Sequence, residues 1–183
     1  MDQLLNDIGH PTYIPFEVIA ARLFLAALLG AAIGFEREWQ NRPAGLRTHM
    51  LVCLSGALIA ILTVEITHVP FFQDEAIRVD PVRLVEAVTA GVAFLAAGLI
   101  IFARGEVHGL TTGAGMWLAS AVGLACGLGF WQIALLAAVL TLAVLGLLSR
   151  LQEWMKTKQP LETPRAGYDQ AAADTTGTPG STA

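Results

Sequence analysis

Between Glu36 and His49 the chain gathers Glu36, Arg37, Glu38, Arg42, Arg47, Thr48 and His49 into one short stretch. Acids and bases this close can pair with each other, hold an anion or a partner's carboxylate, or anchor a membrane surface. Pro43-Ala44-Gly45 reads as a turn, and Thr48 stands where it would cap the next helix. Arg47 and His49 would flank that helix N-terminus, where the backbone favours anions. Arg104, Glu106 and His108 are expected to join the same cluster. A second group, Arg22, Glu65 and Glu86, sits singly inside three otherwise apolar stretches. An unpaired charge at such depth is costly, so Arg22 is expected to pair with one or both carboxylates. As chemistry, that trio would be a cation or proton site; as structure, an ion-pair cluster.

The elements that must position these groups are long apolar runs. The chain has 183 residues, 55% apolar and only 14% charged, where soluble domains carry roughly 25% charge. Its charges are segregated, leaving blocks long enough to cross a bilayer of ~30 Å at ~1.5 Å per residue. Five spans are read, at residues 18–35, 49–67, 82–102, 110–127 and 130–148, an all-α polytopic membrane bundle. Residues 1–17 form an acidic outer tail broken by Pro11 and Pro15, with Pro15 placed to start the first helix. Residues 18–150 are the transmembrane domain, and 151–183 a short, mostly disordered cytoplasmic tail rich in Thr, Pro, Ala and Gly. Val69 to Pro81 is read as a polar connection, and Ala103 to Gly109 as a tight polar loop.

Five spans place the termini on opposite sides. Arg37, Arg42, Arg47, Arg104, Arg150, Lys156, Lys158 and Arg165 fall on one side, against Arg78 and Arg83 on the other. Basic residues collect in the cytoplasm, so the N-terminus is outside and the C-terminus inside. Carboxylates lean outward, and that acidic rim would concentrate cations.

Small residues recur every four positions: Ala26, Gly30 and Gly34 in the first run, and Gly115, Ala119, Gly123 and Gly127 in the fourth. Such rows let helices approach closely in lipid, either inside one bundle or between copies of the chain. Cys53 and Cys126 lie in apolar runs and read as small hydrophobes. No metal-ligand spacing, HExxH or GxSxG is present, and the Gly-rich fourth run lacks the lysine of a phosphate loop. Enzyme chemistry, a bound cofactor and nucleic-acid partners are therefore not expected.

Gly34-Phe35-Glu36-Arg37-Glu38, then Arg42-Pro43-Ala44-Gly45-Leu46-Arg47-Thr48-His49, resembles the signature of the MgtC/SapB family. Two further blocks agree: Asp80-Pro81 and Arg83 leading to Gly91 through Gly98, and Gly109-Leu110-Thr111-Thr112 leading to Met116-Trp117 and Gly123. The resemblance implies a five-helix domain of the bacterial inner membrane, with Thr111, Thr112 and Trp117 as a fourth-helix motif. It further implies a role at low magnesium, related to virulence in some members, and a link to membrane energetics and the proton-driven ATP synthase. Ala93 and Ala96 stand where the family usually has glycine, and would push a partner helix outward. Thr111 and Leu118 stand where the virulence-associated branch has Asn and Cys, and that branch's folded C-terminal domain is not expected here.

Two functions follow as expectations. The first is a non-enzymatic regulatory or accessory protein whose cytoplasmic motif meets a membrane-protein partner, such as a transporter or ATP synthase. The second is a Mg²⁺ or H⁺ transporter or channel with Arg22, Glu65 and Glu86 lining an outer vestibule.

Overall fold

In lipid, an apolar run can satisfy its own backbone only as a helix, and five helices form among the described residues. The computed structural model describes residues 12–69, 80–103 and 106–157. The helices are α1 (Phe16–Trp39), α2 (Leu46–His68), α3 (Pro81–Leu99), α4 (Leu110–Leu128) and α5 (Trp131–Thr157). The first four are long and apolar enough to cross a membrane, and the apolar stretch described in α5, Trp131–Leu147, is shorter. The described residues up to Leu147 form one compact unit, and the last turns of α5, from Leu148 on, belong to a second. Most of the connection read at 69–81, Arg104 and the tail from Lys158 lie outside the described residues.

α2 is the centre of the bundle, packing most extensively on α4 and α1, while α3 leans mainly on α4. Small residues explain why. Gly30 faces Cys53 and Met50, and Gly34 faces Leu46 and Gly45, so α1 lies antiparallel on α2. Gly56 meets the Ser120 carbonyl, Gly123 meets Cys53, and Gly127 meets Ala57, so α2 and α4 run parallel in backbone contact. All members of both rows are buried. Of the two roles read for these rows, packing inside one bundle is the one seen here: they hold α1, α2 and α4 together within one chain. Around this seam sits a core of Ala26, Leu29, Ile33, Cys53, Ala57, Val122, Cys126, Ala134 and Ala138, with both cysteines inside it.

α3 buries Val88, Val92 and Ala96, while a methyl on Gly91 or Gly98 would meet nothing within 4 Å. The Ala96 methyl packs where α4 offers Gly113, whose own Cβ would lie 3.3 Å from it. Ala93 is exposed and displaces no helix.

Several boundaries move from their sequence positions. α1 begins at Phe16 with Pro15 as its cap residue, and carries Glu36, Arg37 and Glu38 in its last turns. α2 begins at Leu46 rather than His49, so Thr48 lies inside the helix and caps nothing; the cap residue is Gly45. α3 stops at Leu99 instead of reaching Phe102, because Ile100-Ile101-Phe102 is a β-branched and aromatic run that favours extended backbone. Strand β1 (Ile101–Ala103) pairs antiparallel with β2 (Glu106–His108), matching Phe102 with Val107. The tight loop is therefore a β-hairpin between α3 and α4.

At the opposite end the α4–α5 turn is built on Gly129, with φ +89°, accepted without strain only by glycine. A Cβ there would also lie 2.7 Å from Arg22 Nη2. Gly129→Ala should cost about 1–2 kcal/mol from the left-handed backbone alone, read as a lower denaturation midpoint in detergent; an unchanged midpoint would contradict this turn.

Candidate functional site

The α1–α2 corner is where the sequence-selected residues come together, and it divides into an inner and an outer set. α1 presents Gly30, Ile33, Gly34 and Arg37 on one buried face, which turns Arg37 inward at only 2% exposure. Its Nε donates to Glu36 Oε2 at 2.8 Å, the one ion pair among the described residues. Nη2 donates to Gln40 Oε1 at 3.3 Å, and Gln40 Nε2 donates back to Glu36 Oε1. Glu36, Arg37 and Gln40 thus form a closed triangle in the last turns of α1. Arg37 Nη1 is buried with no partner.

His49, one turn into α2, is fully buried. Its Nδ1 donates to the Gly45 carbonyl at 3.1 Å, since a carbonyl can only accept. Nε2 is buried without a partner, and the ring lies within electrostatic reach of Arg37 and Glu36. The outer set comprises Glu38, Arg42 and Arg47, all exposed, with Trp39 beside them at 79% exposure. Glu38 Oε2 accepts from the Leu46 amide at 2.9 Å and so caps α2, in the place read for Thr48. Thr48 is half-buried.

Two partners escaped sequence reasoning. Gln40 was legible from its i, i+4 spacing to Glu36 once α1 is carried past Phe35. Glu38 reaches Leu46 across a loop, and no local motif announces that. Of the residues expected to join the cluster, Arg104 lies outside the described residues, and His108 is exposed at the end of β2.

The trio Arg22, Glu65 and Glu86 does not assemble. Arg22 Nη1 donates to the Gly127 carbonyl at 2.9 Å, a cation on the negative end of α4. Glu65 takes the Tyr13 and Ile14 amides at 2.8 and 2.9 Å, and Tyr13 stacks on His68 with ring centroids 3.4 Å apart. Glu86 is exposed on α3. These charges tie down a helix end and the segment before α1. Glu65→Gln should therefore speed hydrogen exchange at Tyr13 and Ile14 by about tenfold, since one bond to a charged acceptor contributes ~1.5–3 kcal/mol; unchanged exchange would contradict the latch.

In α4, Thr112 is buried while Thr111 and Trp117 are exposed. Thr111 and Leu118, the two departures from the virulence-associated branch, both line a cavity of ≈ 450 Å³ between α4 and α5, with Gly115, Leu140, Thr141 and Leu145 opposite or beside them. Among the described residues no group of His, Cys, Asp or Glu is placed to hold a metal ion.

Apolar helices joined in backbone contact, with aromatic residues exposed near both ends (Phe35 and Trp39; Tyr13, Phe16, Phe130 and Trp131), define a helical membrane protein. The chain belongs to the MgtC family, whose model matches residues 23–154. It is 38% identical over 148 residues to protein SrpB of Synechococcus elongatus, covering 75% of this chain and 80% of SrpB. It is 36% identical over 124 residues to the candidate magnesium transporter YhiD of Escherichia coli, covering 68% of this chain and 57% of YhiD. Protein MgtC of Salmonella typhimurium is 40% identical over 120 residues, 66% of this chain and 48% of that protein. The chain thus spans about half the length of the last two relatives. No solved structure matches it.

Proposed function

We propose that this protein is a non-enzymatic accessory or regulatory component of the bacterial inner membrane, serving magnesium homeostasis and membrane energetics. It docks a membrane-protein partner, such as a transporter or the ATP synthase, through the exposed Glu38, Arg42 and Arg47. The observation that carries this reading is the division of the α1–α2 corner: Arg37 and His49 lie inside it, while Arg42 and Arg47 point outward and have no ion-pair partner among the described residues. The name of the E. coli relative supports the link to magnesium. The distribution of Arg and Lys supports a cytoplasmic corner and an outer α4–α5 turn. A transporter would need its ionisable groups to line one path. Arg22, Glu65 and Glu86 instead have separate surroundings, which favours the accessory role.

The test is photocrosslinking from the α1–α2 corner in native membranes, comparing the unaltered chain with an Arg42→Glu, Arg47→Glu double variant. Charge reversal of rim residues should lower partner capture at least tenfold and impair growth at low magnesium, with membrane insertion unchanged. If capture and growth persist in a normally inserted variant, the outer set is an anchor alone.

A further inference from the structure

One donor nitrogen and one acceptor nitrogen are left over inside the α1–α2 corner. Native proteins rarely leave buried polar atoms unpaired, and each exception calls for an explanation. Arg37 uses Nε and Nη2 on Glu36 and Gln40 and keeps Nη1 unpartnered. In neutral His49 the Nδ1 hydrogen is committed to Gly45, so Nε2 holds a bare lone pair. The charged groups within electrostatic reach of His49 are Arg37 and Glu36 of α1. α4 brings no charge. It brings Gly115, whose Cβ would lie 3.3 Å from Nε2, and one turn earlier the buried Thr112. α4 starts at this same end behind Gly109 with no side-chain cap, so the positive end of its dipole adds to the field.

We propose that Arg37 and His49 bind a small oxyanion that carries one proton, of the hydrogen-phosphate type. A charged ligand oxygen accepts from Arg37 Nη1–H, and the ligand's own O–H donates to His49 Nε2. Both leftover atoms are then satisfied by one molecule. Because Glu36 already balances Arg37, the proton is what distinguishes the ligand. Sulfate has the same shape but no O–H at neutral pH, and would turn an oxygen lone pair toward Nε2. A phosphodiester headgroup lacks the proton too. Free phosphate and a membrane phosphomonoester such as phosphatidic acid share the required chemistry. The site is interior and independent of the exposed docking residues.

The test uses the full chain with ¹⁵N-labelled histidine in phosphatidylcholine nanodiscs, the His49 signal being assigned by its loss in His49→Gln. Inorganic phosphate should move the Nε2 resonance saturably, whereas sulfate should need at least tenfold higher concentration. Nanodiscs containing phosphatidic acid separate the two sources: movement there without added phosphate names the lipid, movement with phosphate alone names the free ion, and either supports the site. Arg37→Gln should weaken the response at least tenfold, and His68→Gln, at the other end of α2, should leave it intact. If Arg37→Gln does not fold, the phosphate and sulfate comparison on the unaltered chain still decides. No saturable movement from either source, or equal movement with sulfate, overturns the proposal.

Discussion

Gly123→Ala should be among the most damaging single methyl additions the chain can receive. A Cβ at Gly123 would overlap the Cys53 carbonyl, and one at Gly127 would overlap the Ala57 carbonyl. Both obstacles are helix backbone, which cannot rotate away as a side chain can. To admit the methyl, α2 and α4 must separate along the seam that also buries Ala119 and Val122. Overpacking costs typically about 1–3 kcal/mol and occasionally more, and the rigid obstacle sets this case at about 3 kcal/mol or beyond. Gly91→Ala and Gly98→Ala are the matched controls, since nothing lies within 4 Å of either new methyl. They should be neutral, or stabilising by up to about 1 kcal/mol through helix propensity. Denaturation in detergent should separate the two pairs clearly. Equal effects at Gly123 and Gly91 would mean that α2 and α4 are not in backbone contact.

Arg37→Ala should cost nearly as much, for an electrostatic reason. The side chains of Arg37 and Glu36 are 3% and 17% exposed, so removing the guanidinium strands a carboxylate that water reaches poorly. Breaking a buried pair costs about 3–5 kcal/mol, and the partial exposure of Glu36 places this loss near the lower bound. Removing Glu36 in the same molecule should restore part of it, because the stranded charge is then gone. An Arg37→Ala, Glu36→Gln double variant no better than Arg37→Ala alone would show that the pair does not hold the corner. Arg47→Ala, by contrast, should leave stability within about 0.5 kcal/mol, as exposed substitutions usually do.

The sequence made the helices legible because lipid offers an apolar run so few alternatives. Their ends were harder. Glu36 to Trp39 continue α1 although they are charged or amphipathic, since Glu38 and Trp39 are exposed and the less exposed Glu36 and Arg37 pair with each other. The β-hairpin after α3 was hidden because Ile100, Ile101 and Phe102 are as apolar as the helix before them, and hydropathy cannot separate a strand from a helix end. The candidate site was legible as a cluster and illegible as an arrangement. Which of Arg37, Glu38, Arg42 and Arg47 points inward depends on the helical phase set by Gly30 and Gly34 against α2. The trio Arg22, Glu65 and Glu86 is dispersed for a related reason: the backbone offers partners too, and Arg22 takes the Gly127 carbonyl while Glu65 takes the Tyr13 and Ile14 amides.

The proposed function requires the α1–α2 corner to face the cytoplasm. The most direct measurement is sided labelling of single cysteines with a membrane-impermeant maleimide on intact spheroplasts. Cys53 and Cys126 are buried and should stay silent. Thr12→Cys, exposed before α1, should label at once, and Arg42→Cys, exposed at the corner, only after the membrane is opened. Labelling of Arg42→Cys in intact spheroplasts with Thr12→Cys protected would contradict the account.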